Sequence, residues 1–379
     1  LLLGATVVSL VVLEMVLRFV YPAHESWRLY SVPHPELGWS LEPGAKFTRQ
    51  VPGAFVRVRY NSAGFRDSEH ENPSPEAKRI VVLGDSYMEA NMVPLGEVFH
   101  KQLERFLEND GGKADIWNLG VAGYGTLQEY LVFRKSGAPL KPEVVLLAFY
   151  LHNDVLNNAH HLNAAAMATR AGKRKRPYLD EGDESGFRVL PPDYDAMRKT
   201  FERRRNSVFF RIKHNSVLWS FLRNARRAFE PSRETFGRGV LAMYMCDGAA
   251  GDEKAWRTTE RILVRLKKEV AQTGAKLVVF SVPAVFDADT SIIKGLAEEG
   301  GTAAPKFCLE TSPGYAKLRA VLESNGIDYV DLVPAFRKAV SDEGQDLFVR
   351  GDWHWNGKGH ALAARGVYDA LKAKGLLEE

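Results

Sequence analysis

Short, wholly apolar runs recur along this chain, and the stretches between them repeat their apolar residues every three or four positions. RIVVLG at 79–84 reads as a buried strand, and 97–109 after it as a helix. ADIWNLG at 114–120 supplies a second strand, 126–136 a helix, and EVVLLAFY at 143–150 a third strand. The pattern resumes near 252, where Ala255, Thr259, Ile262, Leu266 and Val270 keep helical spacing until Gly274. AKLVVFSVP at 275–283 then gives a fourth strand and IDYVDL at 327–332 a fifth, with helices at 314–325 and 358–374. Apolar strands separated by helices predict a mostly parallel, doubly wound α/β sheet.

Other segments fall outside this alternation. Residues 1–21 are apolar except for Glu14 and Arg18, which lie four apart on one helical face, and the length suits a membrane-spanning helix. An N-terminal membrane anchor is the expectation; an uncleaved signal-like segment or an apolar helix packed on the domain are the alternatives. Residues 22–78 are rich in Pro, Gly and polar side chains, yet Trp27, Trp39, Phe47 and Phe55 are poor choices for a free linker, so this lead-in is expected to be ordered. One α/β domain then runs over 79–379, interrupted by an insertion at 156–240. Within it KRKR at 173–176 and ERRR at 202–205 flank a polar stretch, and a basic amphipathic helix is expected at 207–229. That helix either covers the domain, leaving Arg211, Arg223, Arg226 and Arg227 in solvent, or rests on an anionic membrane or partner surface.

Composition narrows the picture further. An apolar content of 45% in 379 residues can fill a substantial core, and a net charge of +4 is too small at this length to imply a nucleic-acid partner. Cys246 and Cys308 permit one disulfide or two free thiols and lack the paired spacing of a zinc site.

Candidate chemistry lies in four blocks: GDSYMEA after strand one, NLGVAGYG after strand two, FYLHNDV after strand three, and DWHWNGKGH near the C-terminus. A parallel sheet delivers such loops to one edge, where sites form beyond the carboxyl ends of the strands. Taken singly each block has a plainer reading. Ser86 or Asp85 caps a helix, Asn153 makes an Asx-turn, Gly123 serves a turn, and His360 is a satisfied structural histidine at the start of a helix. NLGVAGYG lacks the spacing of a dinucleotide fingerprint, and two histidines six apart with no matched carboxylates are weak metal ligands.

In this order the blocks resemble the SGNH, or GDSL-type, hydrolase superfamily, Ser-His-Asp esterases and acyl-transfer enzymes. The resemblance covers about 79–155 and 252–375 and implies a flavodoxin-like three-layer sandwich, to which this chain adds the N-terminal membrane helix and the helical basic insertion. It implies Ser86 as nucleophile, His354 as base with His360 as rival, and Asp352 as the carboxylate orienting the base. The oxyanion donors would be the N–H groups of Ser86 and Gly123 and the amide of Asn153, with Gly120 and Gly125 as alternative glycines. Asp352-Trp353-His354 followed by Trp-Asn and Gly-His resembles the shorter Asp-x-His form of acetylation-linked, membrane-anchored branches. Leu151 departs from the usual glycine two residues before Asn153, which unsettles the acyl pocket more than the chemistry, and His152 beside it is read as a local hydrogen-bonding residue. The implied activity is hydrolysis or transfer of acyl esters, foremost O-acetyl groups on an extracytoplasmic (periplasmic or cell-surface) polysaccharide, without cofactor or metal. The expected partners are an acylated carbohydrate or other ester, a membrane acyltransferase or envelope complex, and the membrane itself through 1–21. Competing readings are a lipid or short-chain carboxyl esterase and a noncatalytic membrane-complex assembly protein.

Overall fold

The computed structural model describes residues 2–20, 30–52, 54–70, 76–162, 174–180, 182–183, 186–210, 216–219, 221–222, 243–246, 252–299, 306–309 and 312–377. Its centre is a five-stranded, all-parallel sheet of β5 (Lys78–Leu83), β6 (Ala114–Asn118), β7 (Val144–Phe149), β10 (Lys276–Ser281) and β11 (Asp328–Val330). Its order, β6-β5-β7-β10-β11, is the 2-1-3-4-5 arrangement of flavodoxin-like sheets, with the switch point between β5 and β7. The predicted strands and their partner helices are thus observed, with boundaries shifted by a few residues.

Apolar residues run without interruption along β7 and along Ile80–Leu83 of β5 because both faces of the sheet are covered there. Val81, Leu83, Val145, Leu147 and Val279 point to one side, where they meet α4 (Thr126–Val132), α7 (Glu253–Gln272) and α10 (Pro313–Ser324). Ile80, Val82, Leu146, Val278 and Phe280 point to the other and meet α3 (Phe99–Asn109), α11 (Val333–Arg337) and α12 (Gly357–Ala373). The alternation is the two-residue period of a strand, repeated in every central strand. Capping fixes where helices begin: Asp252 accepts from the Ala255 N–H at the start of α7, and Asn356 accepts from Lys358 and Gly359 at the start of α12.

The lead-in folds onto this core as two antiparallel hairpins, β1 (Ser31–His34) with β2 (Gly38–Leu41) and β3 (Lys46–Val51) with β4 (Ala54–Arg59). Tyr30 stacks on Phe47, and Trp39 meets Tyr124 edge-on. Trp27 lies outside the described residues. In the insertion, β8 (Tyr178–Leu179) pairs with β9 (Val189–Leu190), and α6 (Tyr194–Arg205) follows. The end of KRKR is drawn inward: Arg176 is only 8% exposed. Of the expected helix at 207–229, residues 211–215, 220 and 223–229 lie outside the described residues, Arg211, Arg223, Arg226 and Arg227 among them. Smaller helices α2 (Ser86–Glu89), α5 (Leu151–Asn158), α8 (Val285–Ala288) and α9 (Ser291–Glu299) complete the described elements used below.

Residues Leu2–Val20 form α1, with Arg18 donating to Glu14 at 2.9 Å. Glu14 also accepts from the Ser216 hydroxyl and from the N–H groups of Val217 and Leu218, so the charge in this apolar helix caps a turn of the insertion. Among the described residues no helix is long and apolar enough to cross a membrane.

Cys246 and Cys308 are joined in a disulfide, and backbone hydrogen bonds from Cys246 N to Lys306 O and from Cys308 N to Tyr244 O flank it. The bridge closes a separation of 62 residues and fastens the end of the insertion to the segment before α10. Cys246→Ser is therefore expected to lower the unfolding free energy by about 2–4 kcal/mol. Chemical denaturation of the oxidised protein and the variant measures this, and coincident midpoints would mean that the bridge contributes nothing.

Candidate active site

β5 ends on Gly84, where the chain turns sharply. A Cβ on Gly84 would lie 2.5 Å from the Met88 side chain and 3.0 Å from Ala148, so only glycine lets the turn pack this tightly. Asp85 caps α2 by accepting from the Tyr87 N–H at 3.0 Å, which sets Ser86 at the first helical position. The helix lasts one turn and stops at Ala90, whose φ is +46°.

The C-terminal block reaches the same place from the far end of the chain. Tyr87 donates its hydroxyl to the Trp353 carbonyl, and the buried Trp355 indole donates to Pro283 O at 2.8 Å. Val349 N donates to His354 O and Asp352 N to Val349 O, closing a tight loop between the two anchors. His354 Nε2 then sits 2.7 Å from Ser86 Oγ, and Nδ1 sits 2.5 Å from Asp352 Oδ1. Asp352 also accepts from the His354 backbone N–H. Burial alone would raise the Asp352 carboxyl, but the His354 N–H, the imidazole charge and the Arg49 cation hold it below the usual carboxylate range. A serine hydroxyl, an imidazole and a carboxylate are thus in line, the arrangement that moves a proton from oxygen to nitrogen.

His360 is not part of that line. It is buried with its ring edge-on to Trp355, and burial, followed by the charges of Arg66, His100 and His354, pushes its pKa down to about 3. Such an imidazole stays neutral, as expected of a structural histidine.

The loops that carry Gly123 and Asn153 are tied to residues flanking Ser86, through Val121 N to Gly84 O, Ala122 N to Glu89 and Asn153 to Asp85. Gly123 has a φ of +79°, and a Cβ there would come within 3.4 Å of the Trp39 ring. The alternative glycines serve packing: a Cβ on Gly120 would lie 2.4 Å from Met88 Cβ, and one on Gly125 2.6 Å from Asn157 Cβ. Asn153 donates its amide to Asp85 Oδ2 at 2.5 Å, which ties the first turn of α5 to the turn that carries Ser86. The N–H groups of Ser86 and Gly123 enter no hydrogen bond among the described residues. Two backbone donors and a side-chain amide beside a hydroxyl can receive a negatively charged oxygen. Leu151 is fully buried, and His152 bonds Asp287 at 3.0 Å and the Tyr244 hydroxyl at 3.1 Å, the local role expected of it.

Several residues that build the site were not singled out from the sequence. Glu89, one turn after Ser86, accepts from Tyr60, Asn91 and Ala122. Arg66 donates to the carbonyls of Ala90 and Val93, just beyond α2. Asn118, at the end of β6, donates to Met88 O and Arg66 O and accepts from Gly120 N. The only hint in the sequence was that Glu89 and Asn118 lie inside a block; Arg66 lies in none. Asp67, in the GFRD turn, accepts from His70, His100 and Asn118 N and lies near Lys101. It is an ion-pair hub that pushes His70 up to about 9 despite burial, with Asp115 contributing. Among the described residues no group of three or more His, Cys, Asp or Glu is arranged to hold a metal ion.

Behind the site, Glu129 on α4 and Asp154 on α5 are fully buried. Burial and the charge of Asp85 raise both carboxyls well above their ordinary range, with Asp154 adding to the rise at Glu129. The fold therefore holds protons that the unfolded chain releases near pH 4–5, so this pair's contribution to stability falls as pH rises from there towards the folded-state values. Glu129→Gln carries no titrating proton. It is expected to raise the thermal midpoint at pH 8 by more than at pH 5, as read by calorimetry at both values; an equal shift would refute the protonated pair.

Residues 246–379 match the family model for the SGNH hydrolase-like domain, acetyltransferase AlgX. No curated protein matches the chain. The solved structures similar to it include an acetyl xylan esterase, AlAXEase, at 11% identity and a TM-score of 0.38, covering 77% of this chain and 99% of that one. A lipase/acylhydrolase from Enterococcus faecalis has the same identity and TM-score, over 78% of this chain and 96% of that one. A two-domain esterase active on acetylated mannans, co-crystallised with mannopentaose, has 11% identity and a TM-score of 0.39, over 80% of this chain and 50% of that one. Likeness this low carries no weight for the site. The C-terminal part of the chain is thus similar to an SGNH hydrolase-like acetyltransferase domain, and the same chain carries the hydroxyl–imidazole–carboxylate line and the 2-1-3-4-5 sheet.

Proposed function

We propose that this protein cleaves or transfers acyl esters with Ser86 as nucleophile, and that its substrate is an O-acetylated polysaccharide outside the cytoplasm. The observation that carries the reading is the 2.7 Å contact between Ser86 Oγ and His354 Nε2, with Asp352 on the other ring nitrogen. Ser86 Oγ attacks the ester carbonyl carbon as its proton passes to His354 Nε2, and Asp352 stabilises the imidazolium. The carbonyl oxygen takes up the negative charge and is received by the N–H groups of Ser86 and Gly123 and the Asn153 amide. Collapse of this intermediate breaks the bond to the alcohol, which leaves with the proton from His354. Water or a sugar hydroxyl then gives its proton to His354, attacks the acyl carbon and restores Ser86. Water makes the reaction hydrolysis, and a sugar hydroxyl makes it transfer.

Acetyl chemistry is favoured by the family description, and a sugar by half-buried Trp353 next to His354, since indole faces suit the apolar faces of sugar rings. An extracytoplasmic site is favoured by the disulfide, which persists in oxidising compartments, and by the apolar stretch of residues 1–21, read as a tether to the membrane. Partnership with a membrane acyltransferase as acyl donor belongs to the transfer form of this reading.

Ser86→Ala is expected to reduce turnover of acetylated oligosaccharides and simple acetyl esters by about 10³- to 10⁶-fold and to abolish labelling by a fluorophosphonate. Asp352→Asn, which leaves the geometry but favours the wrong tautomer, is expected to lower kcat by about 10²- to 10⁴-fold. Full activity in Ser86→Ala rules out the mechanism, and turnover confined to lipid esters rules out the substrate.

A further inference from the structure

Glu89 has no part in the proton transfer, yet it is fully buried one helical turn from Ser86. Its Oε2 accepts from the Ala122 N–H at 2.6 Å, and its Oε1 accepts from the Tyr60 hydroxyl at 2.8 Å and from Asn91 Nδ2 at 2.7 Å. Ala122 immediately precedes Gly123. Both peptides that flank its Cα are held: Glu89 takes the N–H of the Val121–Ala122 peptide, and the carbonyl of the Ala122–Gly123 peptide accepts from the Trp39 indole at 3.1 Å. The direction of the Gly123 N–H is set by the plane of the Ala122–Gly123 peptide. Whatever holds Ala122 therefore aims the Gly123 donor.

We infer that Glu89 is a positioning residue for the oxyanion donors: it ties the Gly123 loop to the helix that carries Ser86 and to Tyr60 of the N-terminal hairpins. This inference rests on the proposed acyl chemistry. A buried carboxylate is stable only when its lone pairs are used and a counter-charge is near. Three donors fill the first requirement. Arg66, buried alongside and donating to the carbonyls of Ala90 and Val93 at the end of the same helix, fills the second. The same logic operates at the other end of α2, where Asp85 accepts from the Asn153 amide. The two acids of GDSYMEA thus flank the serine and each fixes one element of the oxyanion side.

The discriminating variant is Glu89→Gln, which keeps the shape but turns one acceptor into an NH₂ group. In either orientation that group faces a donor: Ala122 N–H in one, Tyr60 and Asn91 in the other. With an acetyl ester as substrate, kcat is expected to fall about 10- to 100-fold while KM changes less than about threefold, the signature of an interaction made in the transition state. Affinity for a boronate, which mimics the tetrahedral intermediate, should fall in parallel with kcat. If Glu89→Gln does not fold, Tyr60→Phe tests the same tie by removing one hydroxyl, with an expected fall in kcat of about 3- to 10-fold at unchanged KM. Unchanged kcat in the folded variant, or a loss in KM alone, overturns the inference while leaving the proposed function intact. Absence of Ser86-dependent turnover in the wild type overturns the proposed function and takes this inference with it.

Discussion

The contact between Ser86 and His354 joins residues 268 positions apart, and nothing local to either segment creates it. It depends on the parallel sheet. Because every strand runs the same way, the loops that leave their carboxyl ends share one edge, and the order β6-β5-β7-β10-β11 opens a crevice where connections diverge between β5 and β7. Ser86 leaves β5 and Asn153 leaves β7, so these two flank the switch point. His354 arrives later, beyond β11, and Trp355 fixes its depth by bonding the Pro283 carbonyl just past β10. Loss of strand order would therefore scatter the site even if every residue of it were kept.

The hairpins before β5 are as much a part of the site as the sheet is. Trp39 holds the Ala122 carbonyl, Tyr60 reaches Glu89, and Arg66 spans the end of the nucleophile's helix. A one-turn helix ending on a residue with positive φ has little stability of its own, since its nucleation cost is spread over few hydrogen bonds. Contacts from outside must define it. The lead-in supplies them, which explains why a segment rich in turn residues also carries large aromatics.

The alternation of strands and helices was legible in the sequence because burial on both faces leaves no polar residue in β7, nor in β5 after Arg79, to obscure the run. Ser86, Asp352 and His354 were legible as a set because four short blocks stand in an order that resembles a known family, and the structure brings these three into contact. Glu89 was not, for a physical reason: a buried carboxylate is defined by its donors, and Tyr60 and Ala122 come from distant segments. Arg176 was hidden in the same way. In KRKR it looks like its neighbours, and only the packed structure shows that its guanidinium lies over the Trp39 ring, buried, while Lys175 beside it is exposed. The pairing of Cys246 with Cys308 is likewise a long-range fact that the count of two cysteines left open.

The acids behind the nucleophile raise a question that charge counting answers wrongly. Asp85, Glu89, Asp154 and Glu129 are all buried, and four negative charges near a developing oxyanion would oppose it at low dielectric. Their surroundings differ, however, and the differences remove most of the opposition. Asp85 and Glu89 spend their lone pairs on the donors that shape the site, with Arg66 beside Glu89. Glu129 and Asp154 keep their protons to higher pH than ordinary carboxyls, because burial and the charge of Asp85 penalise the charged form. Arg176 adds a positive charge facing Asp154 from the insertion. The burial that makes these acids costly to charge is thus what lets them lie behind an oxyanion, and the insertion contributes to the electrostatics of the site from a position that touches none of the reacting atoms.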